Sequence, residues 1–199
     1  MSQVELVVGP NGAGKSTFVE LVLQPRVPRL PFVNADVIAK ARWPDSAEAH
    51  SYEAARIAAA TRERLLESGR SFIAETVFSH PSKIELIRSA LDRDYDVNLH
   101  VVMVPVDLSV QRVARRVITG GHAVPEDKIR ERHHRLWSLV AVAVESTTSA
   151  TFYDNSRRTG PAIVAEFFQG MPIGAGHWPD WTPHELSELW HIRGGAQPR

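Results

Sequence analysis

The 199-residue sequence predicts an α/β fold, a parallel sheet flanked by helices and carrying a helical lid. Two observations carry that prediction. Residues Gly9 to Thr17 read Gly-Pro-Asn-Gly-Ala-Gly-Lys-Ser-Thr, which contains the full pattern Gly-x-x-x-x-Gly-Lys-Ser. The string lies between an apolar run, Val4 to Val8, and a helix-like stretch, Phe18 to Leu23. Strand, loop and helix in that order are the setting of a phosphate-binding P-loop. The second observation is that strand-like and helix-like segments alternate along the chain, as a parallel sheet requires. Together they predict a P-loop NTPase fold.

Residues 4–8 form the first strand, a continuous apolar run suited to burial on both faces. The P-loop helix spans roughly 15–23. Pro25, Pro28 and Pro31 break the chain before a short strand at 32–34. Ser46 begins a helical stretch through about Glu67, which Gly69 ends as a C-cap. Ser71 to Ala74 reads as a third strand. Pro81 stands where a first helical residue would, and Ile84, Ile87 and Leu91 recur at helical spacing. Val97 to Val106 is a long apolar strand. Two helices follow, near 108–119 and 125–147, separated by Gly120-Gly121-His122; the lid is placed at about 108–147. Thr151 to Asp154 suggests a last strand, and 161–168 a further helix. Thr182-Pro183-His184-Glu185 opens a final helix with a capping-box pattern. Residues 160–199 form a C-terminal extension without an assignable motif. Its Trp178, Trp181 and Trp190 are expected to pack on the sheet. The whole, 1–199, is read as one kinase-sized domain.

Composition narrows the function. The chain is 43% hydrophobic and 23% charged, ordinary for a globular protein. Lys plus Arg equals Asp plus Glu at 23 each, so a general nucleic-acid binder, which would be basic, is disfavoured. Cysteine is absent, which excludes disulfides, thiolate zinc sites and cysteine nucleophiles. No signal segment is read, because the apolar strand starts almost at once. No apolar run approaches the length of a membrane span. The expectation is a soluble cytoplasmic enzyme without membrane or nucleic-acid partners.

The P-loop chemistry follows from geometry. Gly9, Gly12 and Gly14 let the backbone curl so that its N–H groups face phosphate oxygens, with Pro10, Asn11, Ala13 and Thr17 completing the loop. The following helix adds partial positive charge at its N-terminus. Lys15 would reach the β- and γ-phosphates, and the Ser16 hydroxyl would ligate Mg²⁺. ATP with Mg²⁺ is the expected cofactor pair. Transporter ATPases need a Ser-Gly-Gly-type signature and a strand closing in Asp-Glu, and GTPases an Asn-Lys-x-Asp motif. Neither pattern is present. Size, helical excursion and scattered arginines fit a small-molecule kinase better.

Three further groups are candidates. Asp36, closing Phe32-Val33-Asn34-Ala35-Asp36, is placed either to accept the proton of a substrate hydroxyl or to cap a helix starting at Val37. Glu75, near the end of Phe72-Ile73-Ala74-Glu75-Thr76, is either a Mg²⁺ or substrate contact or a solvated strand-end carboxylate. The lid helices carry Arg112, Arg115, Arg116, Lys128, Arg130, Arg132 and Arg135 against only Glu126, Asp127 and Glu131. Arg112 and Arg116 share one face, as do Lys128, Arg132 and Arg135, with Ile129, Leu136 and Val140 turned to the core. Arginine suits a phosphate clamp through its planar fork, although a charged helix surface is the ordinary fate of such residues. Adjacent His133 and His134 point in different directions and cannot chelate together. His122, at the lid turn, is placed to contact a phosphate or the nucleotide.

These pieces together resemble the zeta-toxin family of P-loop kinases. The resemblance rests on Gly9 to Thr17, on Asn34-Ala35-Asp36, on Glu75-Thr76-Val77-Phe78-Ser79 and on the lid segment. That segment reads Arg116-Val117-Ile118-Thr119-Gly120-Gly121-His122-Ala123-Val124-Pro125, followed by Ile129-Arg130-Glu131-Arg132. It covers about residues 1–155. The resemblance implies phosphoryl transfer from ATP to a sugar hydroxyl; the best-known members act on the 3′-hydroxyl of UDP-N-acetylglucosamine. It implies Asp36 as base, Lys15 and Ser16 as phosphate and Mg²⁺ ligands, and Arg116 and Arg132 as lid arginines. It makes Glu75 a substrate or Mg²⁺ contact, and Asn34, Thr76, Arg112 and His122 further substrate-binding candidates. An antitoxin protein is the partner such a family suggests. This chain is shorter than the plasmid toxins, and its lid looks more like that of chromosomal relatives. A kinase of another small metabolite or antibiotic, and a non-catalytic nucleotide-binding module, are the other two readings. Asp36 argues against the module, which needs no base beside the γ-phosphate.

Overall fold

The buried apolar runs of the chain assemble into one seven-stranded sheet. The structure, a computed structural model, describes residues 1–118 and 124–194. The strands are β1 (Gln3–Val8), β2 (Phe32–Val33), β3 (Phe72–Thr76), β4 (Asp96–Met103), β5 (Ser149–Asp154), β6 (Ala162–Phe168) and β7 (Met171–Ile173). Their order is β2-β3-β1-β4-β5-β6-β7. The first five run parallel, and β6 and β7 are added antiparallel. The sheet is therefore mostly parallel, as expected, with an antiparallel margin that was not foreseen. Val8 pairs with Thr76 on one side and Val101 on the other, so β1 and β3 end together at one edge and β4 runs on to Met103. Ligands of such sheets bind beyond that edge.

Period-two alternation sorts each central strand onto two cores. Val4, Leu6 and Val8 of β1, with Val97, Leu99, Val101 and Met103 of β4, join the larger core. That core also takes in α3 (Ser51–Glu67), α4 (Ser82–Leu91), α6 (Glu126–Ser146) and α7 (His184–Ile192). Val7 and Val102 point the other way, toward Phe18, Val19 and Leu23. Those belong to α1 (Lys15–Phe18) and its π-wound continuation Val19–Leu23. On this second face Glu5 is buried, and its carboxylate accepts from Asn98 Nδ2 at 3.0 Å and lies 2.6 Å from His100 Nε2. These polar residues of an apolar strand thus satisfy one another across β1 and β4.

Several elements differ from expectation for identifiable reasons. The helix read from Ser46 begins at Ser51; residues 44–50 are turns, separating α3 from α2 (Ala35–Arg42). Gly69 does end α3: its φ is 65°, Gly69 N–H donates to Leu66 O and Arg70 N–H to Leu65 O, a Schellman pair. The long strand from Val97 stops at Met103, because Val106 already starts α5 (Val106–Ile118). The stretch read as a helix at 161–168 holds instead the strand Ala162–Phe168. Ile163, Val164, Phe167 and Phe168 are β-branched or aromatic, and the segment pairs along the whole of β5. The capping box at Thr182 does not form, since its hydroxyl donates to Pro179 O at 2.6 Å. The tryptophans behave as expected: Trp190 is fully buried, and its ring lies 5.2 Å from Phe167 and 5.8 Å from Trp178. No helix among the described residues is long and apolar enough to cross a membrane.

Candidate active site

The turn after β1 approaches its neighbours so closely that side chains are excluded. Gly9 has φ 152°, and a Cβ there would sit 2.2 Å from Val102 O. Gly14, the left-handed N-cap of α1 at φ 86°, would bring a Cβ to 2.7 Å from Asn155 Nδ2. Side chains then hold the loop by its carbonyls. Lys15 Nζ donates to Pro10 O at 3.0 Å, Ser109 Oγ to Asn11 O, and Asn155 Nδ2 to Ala13 O at 2.7 Å. Arg112 reaches Gly12 O at 3.5 Å. The N–H of a trans peptide points opposite to its C=O. Anchoring the Asn11 and Ala13 carbonyls therefore turns the N–H groups of Gly12 and Gly14 the other way. This is how the loop becomes an anion cradle.

Glu75 is the hub of the site. Its Oε2 accepts from Ser16 Oγ at 2.9 Å and from Asn34 Nδ2 at 2.7 Å, and its Oε1 lies 3.9 Å from Lys15 Nζ. It is no solvated strand-end carboxylate, being 10% exposed in its side chain. Asn34 does two jobs, because its Oδ1 also accepts from Val37 N–H at 3.0 Å. Asn34 is thus the N-cap of α2, which starts at Ala35. The helix-cap reading of Asp36 is thereby overturned: Asp36 sits inside the first turn, exposed on the wall of the cavity. Thr76 also lines the cavity, its Oγ1 3.4 Å from Phe78 N–H. Phe78 holds a left-handed φ of 63° with its ring fully buried, a strained turn fixed by packing.

Burial pulls the Lys15 ammonium below its ordinary pKa. Glu75 and Asp36 pull it back up, and Arg116 pushes it down. Lys15, Asp36, Glu75 and Arg116 therefore share one electrostatic neighbourhood. A cavity of about 610 Å³ holds them, with Gly12, Ser16, Thr17, Asn34, Thr76 and Arg112 in its wall. Arg132 is not in that wall. It lies on α6, half-buried. His122, with Gly120 and Gly121, lies outside the described residues. The wall also contains Lys40, Arg62 and Lys83, which the sequence reading passed over, as it did Ser109 and Asn155. Asn155 follows the end of β5 directly and was open to the same strand-end argument as Glu75. Arg62 sits mid-helix and gave no signal.

The zeta toxin family profile matches residues 3–160. No match is found among curated proteins. Among solved structures, the chain is similar to one in the AvrRxo1-ORF1:-ORF2 complex with ATP, at TM-score 0.68 and 16% identity. That similarity covers 100% of this chain but 65% of the other, so the present chain spans under two thirds of that relative. It is also similar to a chain of the PezAT chromosomal toxin-antitoxin system of Streptococcus pneumoniae, at TM-score 0.61 and 15% identity, covering 83% and 72%. A protein of Chloroflexus aurantiacus matches at TM-score 0.52 and 17% identity, covering 96% and 94%. With the profile spanning most of its length and a phosphate loop built around Lys15, the chain belongs to the zeta toxin family and has the family's P-loop kinase-like fold.

Proposed function

We propose that the protein transfers the γ-phosphoryl group of ATP to a sugar hydroxyl, with a nucleotide sugar such as UDP-N-acetylglucosamine as acceptor. The single observation that carries this reading is the Glu75 hub. It ties the phosphate loop through Ser16 to the N-cap of α2 through Asn34, and so sets Asp36 in the same cavity as buried Lys15. The Ser16 hydroxyl and Glu75 carboxylate are hard oxygen donors 2.9 Å apart, a set suited to Mg²⁺ alongside phosphate oxygens and water. Bound Mg²⁺ would neutralise charge on the β- and γ-phosphates.

The chain's own residues do the rest. The Gly12 and Gly14 N–H groups and Lys15 hold the phosphates. Asp36 takes the proton of the acceptor hydroxyl as it attacks. Lys15 and Arg116 stabilise charge on the transferring group. Thr76, Arg112 and His122 are assigned to substrate, and Asn34 chiefly positions Glu75. Arg132, on the part of α6 that stays in place, joins when the exposed end of α5 closes toward it. The buried stripe of α6, from Ile129 to Val144, keeps the body of that helix in the core. Movement therefore belongs to the exposed end of α5 and the first turn of α6. An antitoxin partner is inferred from the family and from the toxin-antitoxin assembly among its structural relatives.

The test is incubation with ATP, Mg²⁺ and UDP-N-acetylglucosamine, read by mass spectrometry of the acceptor. Asp36→Asn is expected to keep ATP affinity and lose about 10²–10⁴-fold in turnover. Transfer undiminished in that variant would remove Asp36 as base. Absence of any phosphorylated product would remove this acceptor.

A further inference from the structure

The cations of the cavity wall come from several elements, only some of them beside the phosphate loop. On the side of β1 and β4, Lys15, Arg112 and Arg116 surround the phosphate loop. Apart from that loop the wall also carries exposed Lys40 of α2, Arg62 of α3 and Lys83 of α4. Asp36 and Glu75 line the same cavity. A triphosphate seated on the loop accounts for the first group. It does not account for the second.

Arg62 and Lys83 are half-buried in the wall of the same cavity. Among the described residues neither side chain makes a hydrogen bond or an ion pair; the only bond of Lys83 outside its helix is from its backbone N–H to His80 O at 3.1 Å. The near carboxylates are engaged elsewhere: Glu63 pairs with Arg93 at 2.8 Å, and Glu75 faces Ser16, Asn34 and Lys15. Two like charges held together and partly desolvated are costly unless an anion enters between them. Burial pulls both groups below their ordinary pKa, and Arg62 pushes Lys83 further in the same direction. An anion at that point reverses each of these costs.

We infer that Arg62 and Lys83 form a second anion subsite, which holds a phosphate or diphosphate group of the acceptor while its hydroxyl faces Asp36. This rests on the kinase reading above and deepens it. The acceptor is anionic, with its charged group on the α3–α4 side of the reacting hydroxyl. A cationic acceptor, such as an aminoglycoside-type antibiotic, is repelled from the same place. Arg62 supplies a planar fork for two phosphate oxygens, and Lys83 a point charge.

The test separates this subsite from the reaction. The protein is saturated with a non-hydrolysable ATP analogue and excess Mg²⁺, so that the loop is filled, and inorganic pyrophosphate is titrated calorimetrically. The wild type binds one further equivalent. Arg62→Gln and Lys83→Gln each weaken that binding roughly tenfold, as loss of one charge-assisted contact does, and both leave affinity for the ATP analogue unchanged. Arg62→Lys retains most of it. Retained analogue affinity also reports that each variant is folded. Absence of a second equivalent in the wild type, or equal binding in the double variant, overturns the subsite. Neither result touches the kinase reading, which falls instead if no anionic acceptor is phosphorylated while the second equivalent still binds.

Discussion

The Lys15 ammonium is 7% exposed and has one carbonyl within hydrogen-bond distance, so much of its charge is left for whatever enters the cavity. Lys15→Ala is expected to abolish ATP turnover while leaving the circular dichroism spectrum and thermal unfolding cooperative. Normal turnover in the folded variant would remove the kinase reading, because that reading gives this side chain the charge of the transferring phosphate. His133 answers a different question. Its Nε2–H donates to Val104 O at 3.1 Å, and its Nδ1 accepts from Trp137 Nε1 at 3.2 Å. Both contacts use the neutral ring, and protonation would set two donors against each other. Burial pulls its pKa below the ordinary value, with the Val104 hydrogen bond opposing. The unfolded chain therefore takes up the proton first as pH falls. Stability from His133 is complete above about pH 6.5 and is lost as pH drops toward and through the lower folded value. The slope cannot exceed about 1.4 kcal/mol per pH unit. Urea unfolding between pH 8 and 5 should show this loss in the wild type and a smaller one in His133→Gln. Parallel curves would mean that the ring does not titrate with folding.

At the scale of elements, the α5–α6 pair is held by Arg130, which meets Asp107 of α5 at 2.9 Å and Glu126 at 2.9 Å. Arg130 is thus engaged away from the cavity, which makes it the control for the other arginines. Arg116→Ala is expected to lower kcat by about 10²–10³-fold with little change in the KM for ATP, because its contact strengthens in the transition state. Arg132→Ala should act in the same direction, and Arg130→Ala should leave kcat within a fewfold of wild type. Equal small effects at all three would make the cluster a solvated surface. The same pair shows what sequence can reveal about elements. The stripe Ile129, Leu136 and Val140 is buried as its spacing predicted. The 161–168 segment misled because Ile163 and Phe168 stay exposed while adjacent Val164 and Ala165 are both buried, blurring the alternation that marks a strand. The start of α3 misled because the turns at 44–50 follow a helix of only eight residues.

At the scale of the molecule, the site is assembled by the sheet's parallel register. β1 and β3 end level with each other beside β4, and Asn155 after β5 and Ser109 of α5 reach back to grip the phosphate loop. The loop, Asp36 and Glu75 were legible because each belongs to a short local string. The contacts that join them were not, since the Ser16–Glu75 and Asn155–Ala13 bonds cross 59 and 142 residues. Nor was the charge on the α3–α4 side, where a mid-helix arginine looks like any surface arginine until the cavity is seen. This long-range assembly has a measurable consequence. A ligand on the loop loads β1, α5 and β5 at once, so its binding energy opposes global unfolding and not local fraying. At a hundred times its Kd, an ATP analogue adds about 2.7 kcal/mol, a rise in Tm of roughly 5–10 °C for a chain of this size. Asn155→Ala removes the grip on Ala13 O and leaves the lining charges intact. At a fixed analogue concentration its Tm rise should be clearly smaller than that of the wild type, because its Kd is weaker. An undiminished rise would mean that the loop holds its phosphate-binding shape without β5, and that the cradle is set by Gly9 and Gly14 and the helix behind them.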